Sequence, residues 1–209
     1  DLDFLDLVIE ISNEINTIEY VIILGQKKDL PNTKNLSKKV IAYEDLIENI
    51  SALNEWPVFS EKTASSLCYT SGTTGNPKGV LYSHRSTLIH TIAAANPDSF
   101  NLSSLDVIMP IAPMFHANAW GIPYVATMIG AKLVLPGRHL DGKSIYDLME
   151  REKVTFTAAV PTIWLMLFQF LEKEKKKLNH LKSCAIGGAA CPKVMIENFA
   201  EKHDVNVIH

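Results

Sequence analysis

The sequence predicts an α/β protein, a mostly parallel sheet flanked by helices. Short apolar runs alternate with longer amphipathic ones along the whole chain. The short runs are apolar on both faces, as strands covered on two sides are. No fixed-period repeat or linker interrupts the series, so residues 1–209 read as one unit.

In order, Glu19–Leu24 (EYVIIL) reads as a strand and Tyr43–Ile50 as a short helix, with polar surface loops at Asn32–Lys39 and Asn54–Lys62. Ala64–Tyr69 is the next strand, Val80–Tyr82 another, and Ser83–Ala95 a helix whose free amides Ser83 can cap. Leu105–Pro110 reads as a strand, Ala119–Ile129 as a helix, Ala131–Leu135 as a strand and Ser144–Lys153 as a helix. Val154–Val160 is β-branched and apolar, and Pro161 opens an apolar helix to about Glu174, where proline at a first turn removes no hydrogen bond. Ser183–Gly187, a helix near Pro192–Lys202, and Val205–His209 complete the series.

The 209 residues carry 20 Lys and Arg against 23 Asp and Glu, a formal charge of -3, and 47% of them are hydrophobic. Such a chain can bury a core, and it lacks the positive field that a nucleic-acid partner requires. The cationic run Lys173–Lys177 is flanked and interrupted by Glu172 and Glu174, which fits a solvated helix end. Cys68, Cys184 and Cys191 show neither a disulfide framework nor zinc spacing, which fits a reducing cytoplasm. Val107–Ala131 has no charged residue and is long enough to span a bilayer, but Pro110, Pro113 and Pro123 break it, so no transmembrane segment is expected. The chain opens on Asp1 without a signal-peptide pattern and reads as a piece of a longer protein. Its last strand stops at His209, where the next βα loop is due, and ligands of open parallel sheets sit in such loops.

The segment Leu67–Tyr82 (LCYTSGTTGNPKGVLY) is the strongest chemical signal. Gly72, Gly75 and Gly79 let backbone amides approach a ligand closely. Thr70, Ser71, Thr73 and Thr74 add hydroxyl donors, Lys78 adds a point charge suited to phosphate oxygens, and Pro77 stiffens the turn before it. A hairpin turn rich in Ser, Thr and Gly is the plainer alternative. The order differs from the Walker loop, since Gly79 follows the lysine and a strand, not a helix, comes next.

YTSGTTGNPKG resembles the phosphate-binding signature of the adenylate-forming superfamily, which includes acyl-CoA synthetases, peptide-synthetase adenylation domains and beetle luciferases. Pro110–Tyr124 (PIAPMFHANAWGIPY) is similar to the P-M-F-H-x-N-A-W segment of the fatty acyl-CoA synthetase branch, and Ala185–Ala190 (AIGGAA) to the family's adenine-side strand end. All three stand in the family's order, so the chain is identified as part of the large N-terminal domain of an adenylate-forming enzyme.

The resemblance implies that a carboxylate attacks the α-phosphate of ATP, pyrophosphate leaves, and coenzyme A captures the acyl adenylate. Ser71, Gly72, Thr73, Thr74 and Gly75 would wrap the β and γ phosphates, Lys78 would offset the charge of the departing pyrophosphate, and Thr70 would sit near Mg2+. His116 would orient the attacking carboxylate, with a core histidine as the plainer reading. Ala117 would border the nucleotide. Trp120, one helical turn past His116, would stand as an aromatic wall between nucleotide and acyl group, with core packing as its alternative. Gly187, Gly188 and Ala189 would lie against adenine, with an ordinary βα turn as theirs. Val160, Pro161 and Thr162, followed by Trp164, resemble the V-P-T-x-W segment beside the acyl pocket, with Met114 and Tyr124 as further candidates and core packing the alternative for each. His84 and His90 read as helix surface.

A medium- or long-chain fatty acid is the implied substrate. The rivals are another carboxylic acid, or a non-catalytic nucleotide-binding module of the same fold. The parent protein is expected to be cytoplasmic or peripheral to a membrane, with a homodimer as an assembly to test. Elements that complete the family's site are missing from residues 1–209, so this piece alone is expected to be inactive.

Overall fold

A computed structural model describes residues 2–32, 35–70 and 75–209, which fall into two units, Asp1–Val58 and Phe59–His209. In the first, a 3-10 turn (Leu2–Phe4) leads into α1 (Leu5–Glu14) and then β1 (Tyr20–Ile23). A second 3-10 turn (Lys27–Asp29), β2 (Lys39–Ala42) and α2 (Tyr43–Ile47) follow. β1 and β2 pair in parallel with Val21 opposite Val40. Val8 and Ile9 of α1 pack on a small core of Val21, Ile23 and Leu36. Neither α1 nor β2 is among the expected elements, although Leu5, Val8 and Ile9 of α1 stand at helical spacing; β2 is a four-residue strand that follows a polar stretch.

The second unit opens with an antiparallel hairpin, β3 (Ala64–Thr70) and β4 (Lys78–Ser83). α3 (His84–Ala95) starts on a capping box, in which Ser83 Oγ accepts from Ser86 N at 3.1 Å and Ser86 Oγ accepts from Ser83 N at 3.0 Å. Then come β5 (Val107–Pro110), the single turn α4 (Ala117–Trp120), α5 (Ile122–Ile129), β6 (Lys132–Leu133), α6 (Gly142–Glu152) and β7 (Phe156–Ala159). α7 (Pro161–Lys173), β8 (Ser183–Ile186), α8 (Lys193–His203) and β9 (Asn206–Ile208) close the chain. The main sheet runs β6-β5-β7-β8-β9 with every neighbouring pair parallel, and helices cover both faces. The expected α/β architecture is therefore present, with the antiparallel hairpin as a separate sheet.

Period-two alternation divides the core. Ile108, Phe156, Ala158 and Ala185 face Ala94 of α3 and Ile122, Val125 and Ala126 of α5. Met109, Ala159, Cys184 and Ile186 face Ile145, Leu167 and Phe199 of the other helices. Full burial of each large apolar side chain contributes about 1.5–3 kcal/mol. Trp164 is wholly buried here, edge-on to Phe199 with ring centroids 5.3 Å apart, and its Nε1 has no hydrogen-bond partner among the described residues.

Several boundaries differ from expectation. The helix expected from Ala119 starts at Ile122, because residues 117–121 have positive φ and cannot continue a right-handed helix. The strand expected from Leu105 starts at Val107, because the Asp106 carboxylate accepts from Ser103 N at 2.8 Å and from Thr155 Oγ1 at 2.8 Å, which fixes a turn before β5. β6 keeps two residues of the five expected. No helix among the described residues is long and apolar enough to cross a membrane.

Candidate functional site

The β3–β4 hairpin presents the glycine loop. Thr70 and Lys78 are its last paired residues, and both are exposed. Among the described residues none forms an ion pair with Lys78. Gly75 has φ +116°, and a Cβ there would meet open space, so the conformation alone demands glycine. Ser71, Gly72, Thr73 and Thr74 lie outside the described residues.

After β5 the chain passes Met114, Phe115 and His116, all exposed. A core role for His116 is thereby removed. Ala117, Asn118, Ala119 and Trp120 then take φ of 46°, 52°, 52° and 57°, and Gly121 takes 74°. His116 and Trp120 therefore do not share the face of a right-handed helix, which corrects the i,i+4 expectation. Left-handed backbone costs roughly 1–2 kcal/mol for each non-glycine residue, so this turn must be held from outside. Two contacts hold it. Ala119 is fully buried, and the Asn118 side chain donates from Nδ2 to Ser66 Oγ at 2.9 Å while its Oδ1 accepts from the Cys68 thiol at 3.4 Å.

The turn carries Trp120 onto the third segment. A Cβ built on Gly187 would stand 3.1 Å from Trp120 Cη2, so the indole rests against bare backbone. Gly188 has φ +77°, and a Cβ there would stand 2.9 Å from Val160 Cγ1. Ala189 follows, exposed. Trp120 also lines a cavity of about 260 Å³ with Tyr82, Thr87, His90, Asn118 and Tyr124. A second, apolar cavity of about 390 Å³ is lined by Ile111, Met114, Leu135, Leu140, Val160 and Ile163. The V-P-T-x-W segment thus divides: Val160 reaches the site, Trp164 turns into the core, and Pro161 and Thr162 line neither cavity.

His209, absent from the expected set, braces the β8–α8 loop. Its Nδ1 lies 3.0 Å from the Ile186 carbonyl, and its Nε2 accepts from Cys191 N at 3.5 Å. Those bonds select the tautomer protonated at Nδ1. Its spacing carries no signal, since the contact is made across a parallel strand pair.

Burial pushes the Cys184 thiol far up and the Cys191 thiol up, so neither is a ready nucleophile. No group of three or more His, Cys, Asp or Glu that could hold a metal occurs among the described residues. Thr70 supplies one hydroxyl oxygen, which fits Mg2+ only as a single ligand within a set completed by substrate phosphates and water.

Comparison with known proteins adds independent findings. The profile described as AMP-binding enzyme matches residues 7–209. The chain is 45% identical over 212 residues to a 3-methylmercaptopropionyl-CoA ligase of Ruegeria lacuscaerulensis, covering 100% of this chain and 38% of that one. It is 46% identical over 212 residues to a medium-chain-fatty-acid–CoA ligase of Ectopseudomonas oleovorans, with the same 100% and 38% coverage. The N-terminal domain of FACL13 from Mycobacterium tuberculosis superposes with a TM-score of 0.70 at 26% identity, over 83% of this chain and 43% of that one. The anthranilate CoA ligase AuaEII, solved with anthranoyl-AMP, gives a TM-score of 0.82 over 98% of this chain and 38% of that one; its 22% identity speaks for the fold alone. The chain therefore spans well under half the length of these relatives.

Proposed function

The chain belongs to the AMP-binding enzyme family, and from that premise we propose that the full-length protein joins a medium- or long-chain fatty acid to coenzyme A through an acyl adenylate. In the first step a carboxylate oxygen attacks the α-phosphorus of ATP and the bond to the β-phosphate bridging oxygen breaks, releasing pyrophosphate. In the second, the coenzyme A thiolate attacks the acyl carbon and AMP leaves.

The first step brings anions together, so the protein's task is charge neutralisation and alignment. Residues 70–75 present amides and hydroxyls to the polyphosphate, and Lys78 offsets the charge gathering on pyrophosphate. His116, exposed beside the turn, orients the carboxylate. Ala117, Gly187, Gly188 and Ala189 border the nucleotide. Trp120 borders the acyl group, while Val160 packs beside Gly188, and Pro161 and Thr162, which line neither cavity, keep no acyl role in this reading. The Thr70 hydroxyl would be one oxygen ligand of the Mg2+ that accompanies the triphosphate, which would offset phosphate charge. Residues 1–209 form part of a large N-terminal domain that needs the rest of the protein for turnover.

One observation supports this reading: Trp120 lies against Gly187 and also lines the cavity beside Tyr82 and Tyr124, so a single indole joins the glycine strand end to that cavity. A nucleotide on the glycine side and an acyl chain on the other would meet at its edge.

A shorter acid is the second reading. It is favoured by the small volume of that cavity, about 260 Å³, and by the 3-methylmercaptopropionyl-CoA ligase among the relatives. Pyrophosphate release by the full-length protein over a panel of straight-chain and sulfur-containing acids decides. Release that peaks at medium or long chains supports the first reading, a peak at short acids supports the second, and no release with any acid overturns both. A cytoplasmic or membrane-peripheral homodimer is the expected assembly, read by light scattering and fractionation.

A further inference from the structure

The left-handed turn sits where the three sequence segments meet, and a single side chain ties it to the first of them. Asn118 spans 52 positions to Ser66 and 50 to Cys68. Ser66, Cys68 and Thr70 alternate along β3 in regular register with β4, so they share one face of the strand, and that strand delivers the glycine loop. Two residues beyond Asn118, Trp120 lies against Gly187. The path from loop strand to adenine-side glycines thus runs Ser66, Asn118, Trp120, Gly187.

Asparagine is also a residue that tolerates left-handed backbone, and this alone could account for its presence. It does not account for the side chain. Both polar ends of the amide are engaged with the same strand, and Ser66 and Cys68 offer a hydroxyl and a thiol two residues apart to receive them. Ala117 and Ala119 take the same dihedral region without any such tie.

We propose that Asn118 is a positioning residue for adenylation, whose amide fixes the turn carrying His116 and Trp120 in register with the strand that carries the phosphate loop. The inference rests on the adenylating reading above. It gives the site a rigid crosspiece: nucleotide side and acyl side keep one spacing because one amide bonds the strand while its backbone carries the indole. A displacement of about 1 Å between reacting groups can lower a rate on the order of a hundredfold, so the tie acts on turnover more than on binding.

The test uses the full-length protein and ATP–pyrophosphate exchange with its best acid. Asn118→Gly keeps the left-handed backbone and removes the amide. It is expected to lower kcat roughly tenfold to a hundredfold, with kcat/KM falling by the same factor and KM for ATP unchanged. Asn118→Asp keeps an oxygen for the Ser66 hydroxyl and the Cys68 thiol and is expected to recover most of the rate. Ser66→Ala cuts the tie from the strand side, so it should lower kcat in the same sense, and adding it to Asn118→Gly should cost nothing more. Full activity of Asn118→Gly, failure of Asn118→Asp to recover it, or additive losses in the double variant would each overturn the tie while leaving adenylation intact. Absence of exchange in the wild-type protein would instead refute the adenylating reading and this role with it.

Discussion

Replacing Gly188 by alanine tests the geometry of the third segment directly. The residue sits at φ +77°, where an L side chain costs about 1–2 kcal/mol. The new Cβ would stand 2.9 Å from Val160 Cγ1, closer than real methyl contacts allow. Val160 yields only by leaving its rotamer, because its β-branched side chain is stiff at χ1 and Pro161 restricts its backbone. Overpacking of this kind costs about 1–3 kcal/mol, so the total is about 2–5 kcal/mol. Denaturant unfolding of the full-length protein reads the loss. The two parts separate in a Val160→Ala background, where the clash is gone and Gly188→Ala should cost only the backbone part, about 1–2 kcal/mol. An equal loss in both backgrounds would refute the contact, and a loss well under about 1 kcal/mol would refute the backbone argument as well.

If Lys78 meets the departing pyrophosphate as proposed, Lys78→Ala removes a charge-assisted contact worth about 1.5–3 kcal/mol and should slow pyrophosphate exchange by about tenfold to a hundredfold; an unchanged rate sinks the role given to the lysine. His203 accepts from Leu178 N at 3.4 Å, and burial, with Lys177 and Lys202 nearby, holds its pKa below the ordinary histidine value. The unfolded chain then takes up that proton first as pH falls. Stability from this group is complete above about pH 6.5 and is lost as pH drops through the folded value, so His203→Gln should flatten the acid side of a stability-versus-pH curve. Trp164→Phe removes the orphaned Nε1–H along with part of the ring, two effects of opposite sign. It should shift stability by less than Trp164→Ala, which is expected to cost about 3–5 kcal/mol. Thermal unfolding of both variants decides, and equal losses would show that a phenyl ring recovers none of the packing that the indole makes.

Much of this arrangement could be read from residue order, where the governing chemistry is local. Ser83 announces a helix start because capping is decided within four residues, and the hairpin follows from a glycine-rich turn between two apolar runs. The left-handed turn could not be read. Ala117–Trp120 is ordinary helix-forming composition, and its dihedrals are imposed by a bond to a strand far back in the chain and by the burial of Ala119. The same limit divided Val160 from Trp164: both are apolar, and only the direction of α7 decides which meets the glycines and which meets Phe199. α1 was legible, since Leu5, Val8 and Ile9 stand at helical spacing, whereas β2, four residues after a polar stretch, gives no clear period.

The wholly parallel main sheet also bears on how the chain assembles. Its strands join only after long segments have been made: the Thr157 hydroxyl reaches the Met109 carbonyl across 48 residues, and each such closure pays chain entropy before any contact rewards it. The β3–β4 hairpin, by contrast, pairs Thr70 with Lys78 across seven intervening residues. During synthesis the β3–β4 hairpin can form and wait while the main sheet is still being translated, so slow maturation is expected to lie in closing β5, β7 and β8, with early intermediates already carrying the hairpin.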